Sequence, residues 1–280
     1  MIDSGLVRMM LFLAAILGGL YVALVVYLYV IQDRILYHPN AIRPRLQEWG
    51  AADMAEVALK TADGLDLNAW YKPAREGRPT ILYFHGNAGH IGSRGRKLSP
   101  YREAGFGMLL VDYRGYGGNP GTPSEQGLYH DARAAFAFLT ASGIAAKTIV
   151  LYGESLGSGV ATQMALEQAD KEPFAALILE APFSAAPDVG AHHYPYIPVR
   201  MLLRDRFASI EKIAEVKAPV LIVHGEDDRT IPVVIGRSLF AAAREPKQGL
   251  WIPQAGHVNL YDFGASEAIV AFIQGLRVSS

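Results

Sequence analysis

The chain has no cysteine, which removes disulfide bridges, thiolate nucleophiles and cysteine-held metal sites from the chemistry open to it. It also lacks an excess of charge of either sign. Its 26 Lys and Arg stand against 27 Asp and Glu, a formal net charge of -1, so no basic field points to nucleic acid. Internal repeats and low-complexity tracts are missing too, and with them solenoid and fibrous architectures. One stretch lacks charge altogether: from Met9 through Gln32 no side chain is ionised. As a helix rising ~1.5 Å per residue that stretch outreaches the ~30 Å hydrocarbon core of a bilayer.

A core helix of a soluble protein rarely runs so far without a charge. A cleaved leader would have a shorter apolar region followed by a small-residue cleavage site, whereas this run ends in Tyr27-Leu28-Tyr29-Val30-Ile31-Gln32-Asp33-Arg34. Residues 1–32 are therefore expected to form a short tail and one uncleaved transmembrane helix, which makes the lipid bilayer a partner and the protein single-pass. Arg8 precedes the span while Arg34, Arg43 and Arg45 follow it, and the excess of arginine after the span places the remainder in the cytoplasm.

Beyond the span, residues 33–52 carry Pro39 and Pro44 among mixed charges and read as a juxtamembrane linker. A single domain is expected over 53–280. Short β-rich runs at 65–71, 80–84, 107–111, 148–152, 175–179 and 220–223 alternate with helical patterns at 89–104, 125–141, 156–168, 233–243 and 265–275. Continuous apolar strands separated by helices specify an α/β fold whose mostly parallel sheet is covered on both faces. The segment at about 183–206 breaks the rhythm with Pro187, His192-His193-Tyr194-Pro195-Tyr196 and Pro198. It reads as a short lid inserted over the strand ends.

Such sheets bind ligands outside the carboxyl ends of their strands, and four strand ends here carry apt groups. Gly153-Glu154-Ser155-Leu156-Gly157 closes the apolar run 148–152 and opens a helical pattern, the context of a nucleophile elbow, where glycines flank a serine on a tight strand-to-helix turn. His85-Gly86-Asn87-Ala88-Gly89 follows 80–84. His224-Gly225-Glu226-Asp227-Asp228 follows 220–223, and Gly256-His257 follows Leu250-Trp251-Ile252. Serine nucleophilic chemistry needs a base, a carboxylate that holds the base's tautomer, and two donors for the oxyanion.

The roles expected from the sequence are Ser155 as nucleophile, His257 as base and Asp228 as its orienter, with the N–H groups of Asn87 and Leu156 as oxyanion hole. Asp227 competes with Asp228 for the acid. His85 and His224 are expected to stabilise turns, as are Asp112 and Tyr113. Adjacent His192 and His193 do not aim at one ion, so no metal is expected, and no cofactor.

In these residues the chain resembles the alpha/beta-hydrolase superfamily over about 53–277, and within it the small membrane-anchored serine hydrolases. The likeness lies in His85-Gly86-Asn87-Ala88-Gly89, Tyr113-Arg114-Gly115-Tyr116-Gly117, Gly153-Glu154-Ser155-Leu156-Gly157 and Arg204-Asp205-Arg206-Phe207. The resemblance implies the alpha/beta-hydrolase fold, the acid at Asp228 and the base at His257. Some animal members of that group are thioesterases that remove palmitate from proteins.

The expected activity is cleavage of an ester, thioester or amide through an acyl-enzyme on Ser155, the substrate being an acylated small molecule, lipid or protein. Lid residues Tyr194, Tyr196 and Leu202 are expected to contact its acyl part. Two other readings stand beside it. One is a binding or scaffolding protein on a hydrolase fold. The other is a serine peptidase, which would need a carboxylate such as Asp188 or Asp205 to hold a free amino terminus.

Overall fold

The computed structural model describes residues 4–276. The outer ends of the expected anchor segment, residues 1–3, and of the expected domain, 277–280, lie outside the described residues.

Helix α1 (Ser4–Leu36) has 33 residues and is long and apolar enough to cross a membrane. It runs four residues past the expected boundary at residue 32, and the stretch that follows is no free linker. Tyr37 is buried, and its hydroxyl donates to Asp205 Oδ2 at 2.6 Å. The two-residue strand β1 (His38–Pro39) then pairs in parallel with β5 (Ala88–Gly89). Ala51 and Met54 are buried. The sequence hides this packing because Pro39, Pro44 and scattered charges break the apolar residues of 33–52 into short groups with no helical or strand period.

The main sheet has eight strands: β2 (Ala55–Lys60), β3 (Asp66–Lys72), β4 (Thr80–Phe84), β6 (Gly107–Val111), β7 (Ile149–Glu154), β8 (Ala176–Glu180), β9 (Val220–Gly225) and β10 (Lys247–Ile252). Their order is β2-β3-β6-β4-β7-β8-β9-β10; β3 runs antiparallel to both of its neighbours and all other pairings are parallel. Because successive side chains of a strand point to opposite faces, each strand feeds two cores. Leu82 and Phe84 of β4 join Leu109, Leu151 and Ile222 on one face. Ile81 and Tyr83 join Leu110, Tyr152 and Val223 on the other.

Helices α3 (Glu125–Ala141), α4 (Leu156–Gln168) and α7 (Val233–Ala242) cover the first face through Leu128, Val160 and Leu239. Helices α2 (Ser99–Glu103) and α8 (Ala265–Gly275) cover the second through Tyr101 and Ile269. The expected single helix over 89–104 is instead a 3-10 turn, Ile91–Arg94, followed by the short α2. Pro100 explains the break: it lacks an N–H and disfavours helical backbone in the residue before it, so it fits only the first turn.

The expected lid is partly helical, with α5 (Ala186–His193) and α6 (Val199–Leu202). From β4 the chain crosses to β6 on one side and then to β7 on the other. Loops leaving β4 and β7 therefore diverge, and the crevice between them is where open α/β sheets place ligands.

Candidate active site

Ser155 sits between β7 and α4 with φ 50 and ψ -114, a backbone conformation that non-glycine residues adopt only when their surroundings force it. The surroundings here do so. A Cβ at Gly153 would stand 2.4 Å from the Gly157 carbonyl oxygen, and one at Gly157 would stand 2.1 Å from the Phe84 oxygen, so strand and helix close on each other where only glycine fits. The turn is held by Ser155 N–H donating to Glu180 O and Ser158 N–H donating to Ser155 O, both at 2.9 Å.

Two other strand ends converge on the serine. Asp228, in the loop after β9, is buried; its Oδ1 accepts the backbone N–H groups of Thr230 and Ile231, each at 2.8 Å. Its Oδ2 lies 2.7 Å from His257 Nδ1 and 3.2 Å from His224 Nε2. Burial pushes the Asp228 carboxyl up, but hydrogen bonds from His224 and His257, with the Ile231 N–H, outweigh it and hold the group well below the usual carboxylate range.

An ionised carboxylate only accepts, so His257 Nδ1 carries the proton and Nε2 is left as acceptor. Ser155 Oγ stands 3.1 Å from that Nε2. A hydroxyl donating to an imidazole whose far side is held by a carboxylate is the arrangement in which serine is activated as a nucleophile. Asp227, the competing acid, is exposed, and the ion pair of His257 is with Asp228 instead.

The backbone N–H groups of Asn87 and Leu156 have no protein acceptor among the described residues. Both residues border, with Ser155, a largely apolar cavity of ≈ 310 Å³. Its far wall is the lid, through Val189, Tyr194, Ile197 and Leu202. Tyr196 is a correction. Its side chain is 87% exposed and lines no part of the cavity, because the turn closed by Ile197 N–H on Tyr194 O puts it at the lid's outer tip.

His224 is buried and its Nε2 lies 2.8 Å from Ile231 O, so it ties the acid loop and also reaches Asp228. Buried Tyr113 donates to His85 O, and Asp112 accepts the Ile91 N–H; neither touches the cavity. His193 Nε2 lies 2.9 Å from Thr230 O.

Two features escape sequence reasoning. Behind the elbow, Glu154 pairs with Arg94 at 2.7 Å and Lys97 at 3.1 Å, and Lys97 also reaches Glu180 at 2.6 Å. Tyr83 donates to Glu154 and Tyr152 to Glu180. Burial raises the Glu154 carboxyl, but Lys97 and Arg94 outweigh that and keep it ionised. Arg94 also donates to Ala88 O at 3.0 Å, so it bridges the β4 loop to the elbow. The second feature is α1, which borders the cavity through Val25, Leu28, Tyr29, Gln32 and Leu36. The sequence signal for it was a lone amide, Gln32, closing an apolar run.

Residues 75–210 match the family model described as serine aminopeptidase, S33. The chain is 41% identical over 236 residues to the uncharacterized protein Rv2307c of Mycobacterium tuberculosis, covering 83% of each. It is 30% identical over 249 residues to the lysophosphatidylserine lipase ABHD12 of Danio rerio, covering 76% of this chain and 64% of that protein. Among solved structures, the Pyrococcus furiosus esterase Pf2001 superposes with a TM-score of 0.69 at 18% identity, over 85% of this chain and 96% of that one. By sheet order and these relatives, the chain belongs to the alpha/beta-hydrolase superfamily.

Proposed function

We propose that this hydrolase-family protein is a membrane-anchored serine hydrolase acting on carboxylic esters or thioesters, with amides chemically open to it, and that residues 53–280 form the catalytic domain. The observation that carries the reading is the continuous hydrogen-bonded path from Ser155 Oγ through His257 to Asp228 on a strained turn. In the proposed reaction Ser155 Oγ bonds to the substrate carbonyl carbon while its proton passes to His257 Nε2. The N–H groups of Asn87 and Leu156 stabilise the oxyanion, where one donor contributes roughly 2.7 to 4 kcal/mol. Collapse of the tetrahedral species breaks the carbonyl bond to the leaving oxygen, sulfur or nitrogen, which takes the proton from His257. Water then attacks the acyl-enzyme with its proton passing to His257, and the acid leaves as Ser155 regains its hydrogen.

The largely apolar cavity supports an acyl chain as the part of the substrate held beside Ser155. A peptidase reading has less support, because the carboxylates it needs are engaged elsewhere. Asp188 accepts from Ser184 at 2.6 Å and Arg200 at 3.1 Å, and Asp205 accepts from Tyr37. A scaffolding role would not call for an ionised Asp228 aligned with His257. Helix α1 supports the anchor by length and composition, and the arginines after it support a cytoplasmic domain.

The deciding experiment is covalent labelling with a fluorophosphonate probe, followed by acyl-ester hydrolysis. The parent chain should label and turn over, Ser155→Ala should do neither, and equal labelling of the two would overturn the assignment.

A further inference from the structure

The cavity beside Ser155 is not built by the folded domain alone. Val25, Leu28, Gln32 and Leu36 recur every three or four residues and so share one face of α1. Gln32 is buried and the other three are partly shielded, whereas Val26 and Val30 on the remaining faces are exposed. Polar ties fix this face against the domain along its length. Tyr21 Oη donates to the lid carbonyl of Tyr196 at 2.7 Å, Gln32 Oε1 accepts the Arg204 N–H at 2.8 Å, and Leu36 O accepts Asn87 Nδ2 at 3.0 Å. Arg204 adds an ion pair to Asp33 at 2.7 Å and lies over the Tyr29 ring.

The height of these ties along the helix matters. Tyr21 lies about 18 Å along the axis from Asp33, the first charged residue after the apolar run. The lid tip, with Tyr194, Tyr196 and Met201 exposed, therefore stands beside the charge-free part of α1. In a helix that crosses a bilayer, that level is hydrocarbon, and the groove between α1 and the lid opens into it rather than into water. The ≈ 310 Å³ cavity at its inner end is at the small end of ligand pockets, about 300 to 1,000 Å³, which suits one chain rather than two.

We propose that the charge-free helix is itself a wall of the acyl-binding site, and that the chain of a membrane-resident single-chain amphiphile slides along α1 from the bilayer to reach Ser155. The proposal rests on the readings of Ser155 as nucleophile and α1 as a membrane span. It extends them by making the anchor a specificity determinant.

The test uses the full chain in phosphatidylcholine vesicles, with nitrophenyl acetate, octanoate and dodecanoate as probes and fluorophosphonate labelling as an independent readout of Ser155. Leu28→Trp and Val25→Trp fill the groove. Leu17→Trp places the same bulk on the same helix at a residue 66% exposed and outside the cavity. Since each buried methylene is worth about fourfold in binding, the dodecanoate-to-acetate ratio of kcat/KM should fall at least about tenfold in the two groove variants and stay at the parent value in Leu17→Trp. Leu28→Ala, which widens the groove without strain, should move the preferred chain length upward.

Retained labelling with an unchanged ratio in both tryptophan variants, or an unmoved optimum in Leu28→Ala, overturns the helix wall while leaving the nucleophile assignment standing. A parent chain that does not label overturns that assignment and the proposal with it.

Discussion

The side-chain amide of Asn87 donates to the carbonyl oxygen of Leu36, the last residue of α1, at 3.0 Å. Two residues on, the His38 N–H donates back to Asn87 O at the same distance. The loop that offers the proposed oxyanion donor is thus bonded on both sides to the exit of the membrane-candidate helix. Asn87→Ala keeps the backbone N–H and removes only the tie. Losing one such hydrogen bond costs about 1 kcal/mol, so thermal unfolding should show Tm lower by roughly 2 to 4 °C. A kcat loss of only a few-fold should accompany it, because the donor remains but is held less firmly.

Ser155→Ala should abolish turnover and labelling with little change in Tm, since alanine inherits the same backbone. Asp228→Asn should lower kcat by roughly 10⁴-fold by favouring the wrong His257 tautomer. Steady-state kinetics with an activated ester checks both. An Asp228→Asn variant within a few-fold of the parent would remove Asp228 from the proposed role.

Glu154 sets a pH dependence of stability. Its folded carboxyl is held down by Lys97 and Arg94 against the opposing effect of burial. Its stabilisation is therefore complete above the unfolded carboxylate value of about 4.3 and is lost as pH falls through and below it. Glu154→Gln leaves Arg94 and Lys97 short of a partner, and breaking a buried pair in this way costs about 3 to 5 kcal/mol. The Tm gap between parent and variant should be widest near neutral pH and narrow below about pH 4. A gap that stays constant with pH would show that the ion pairs contribute nothing there.

The lid makes a separate prediction about substrate. Leu202 borders the cavity and Tyr196 does not. Burial of chain at ~0.8 kcal/mol per methylene should make kcat/KM rise from acetyl to medium-chain esters. Leu202→Ala should flatten that rise, and Tyr196→Ala should not. A profile that is flat or falling in the parent chain would point to small polar esters instead.

For the membrane, the full chain should resist extraction by alkaline carbonate. Because the chain has no cysteine, Ile42→Cys, at a position 71% exposed, gives a single reporter. It should be shielded from impermeant thiol reagents in intact cells, and ready modification there would reverse the proposed orientation.

Much of this was legible in the residues because parallel strands are continuous apolar runs. β4 and β6 begin and end where their sequence patterns do, and α3, α4 and α8 follow theirs. Ser155 and Asp228, two of the proposed site residues, each follow such a strand, whereas β10 before His257 begins with Lys247-Gln248-Gly249 and only its end is apolar. β2 is not a continuous apolar run: Ala55, Val57 and Leu59 alternate with Glu56, Ala58 and Lys60, the pattern of an edge strand with one solvated face. The second role of α1 was missed for another reason. A uniformly apolar run hides which of its faces meets protein, and only the tertiary partners Tyr196, Arg204 and Asn87 reveal it.

Helix α1 passes into the folded domain without a loop: it ends at Leu36, Tyr37 is buried, and His38 is already paired with the loop after β4. A rigid mount of this kind gives the domain little freedom to swivel about α1, so in the proposed membrane-spanning arrangement the mouth of the cavity would keep one tilt toward one leaflet. If α1 spans a bilayer as proposed, encounters with substrate are confined to two dimensions, and turnover should follow the surface density of substrate in that leaflet rather than its bulk concentration.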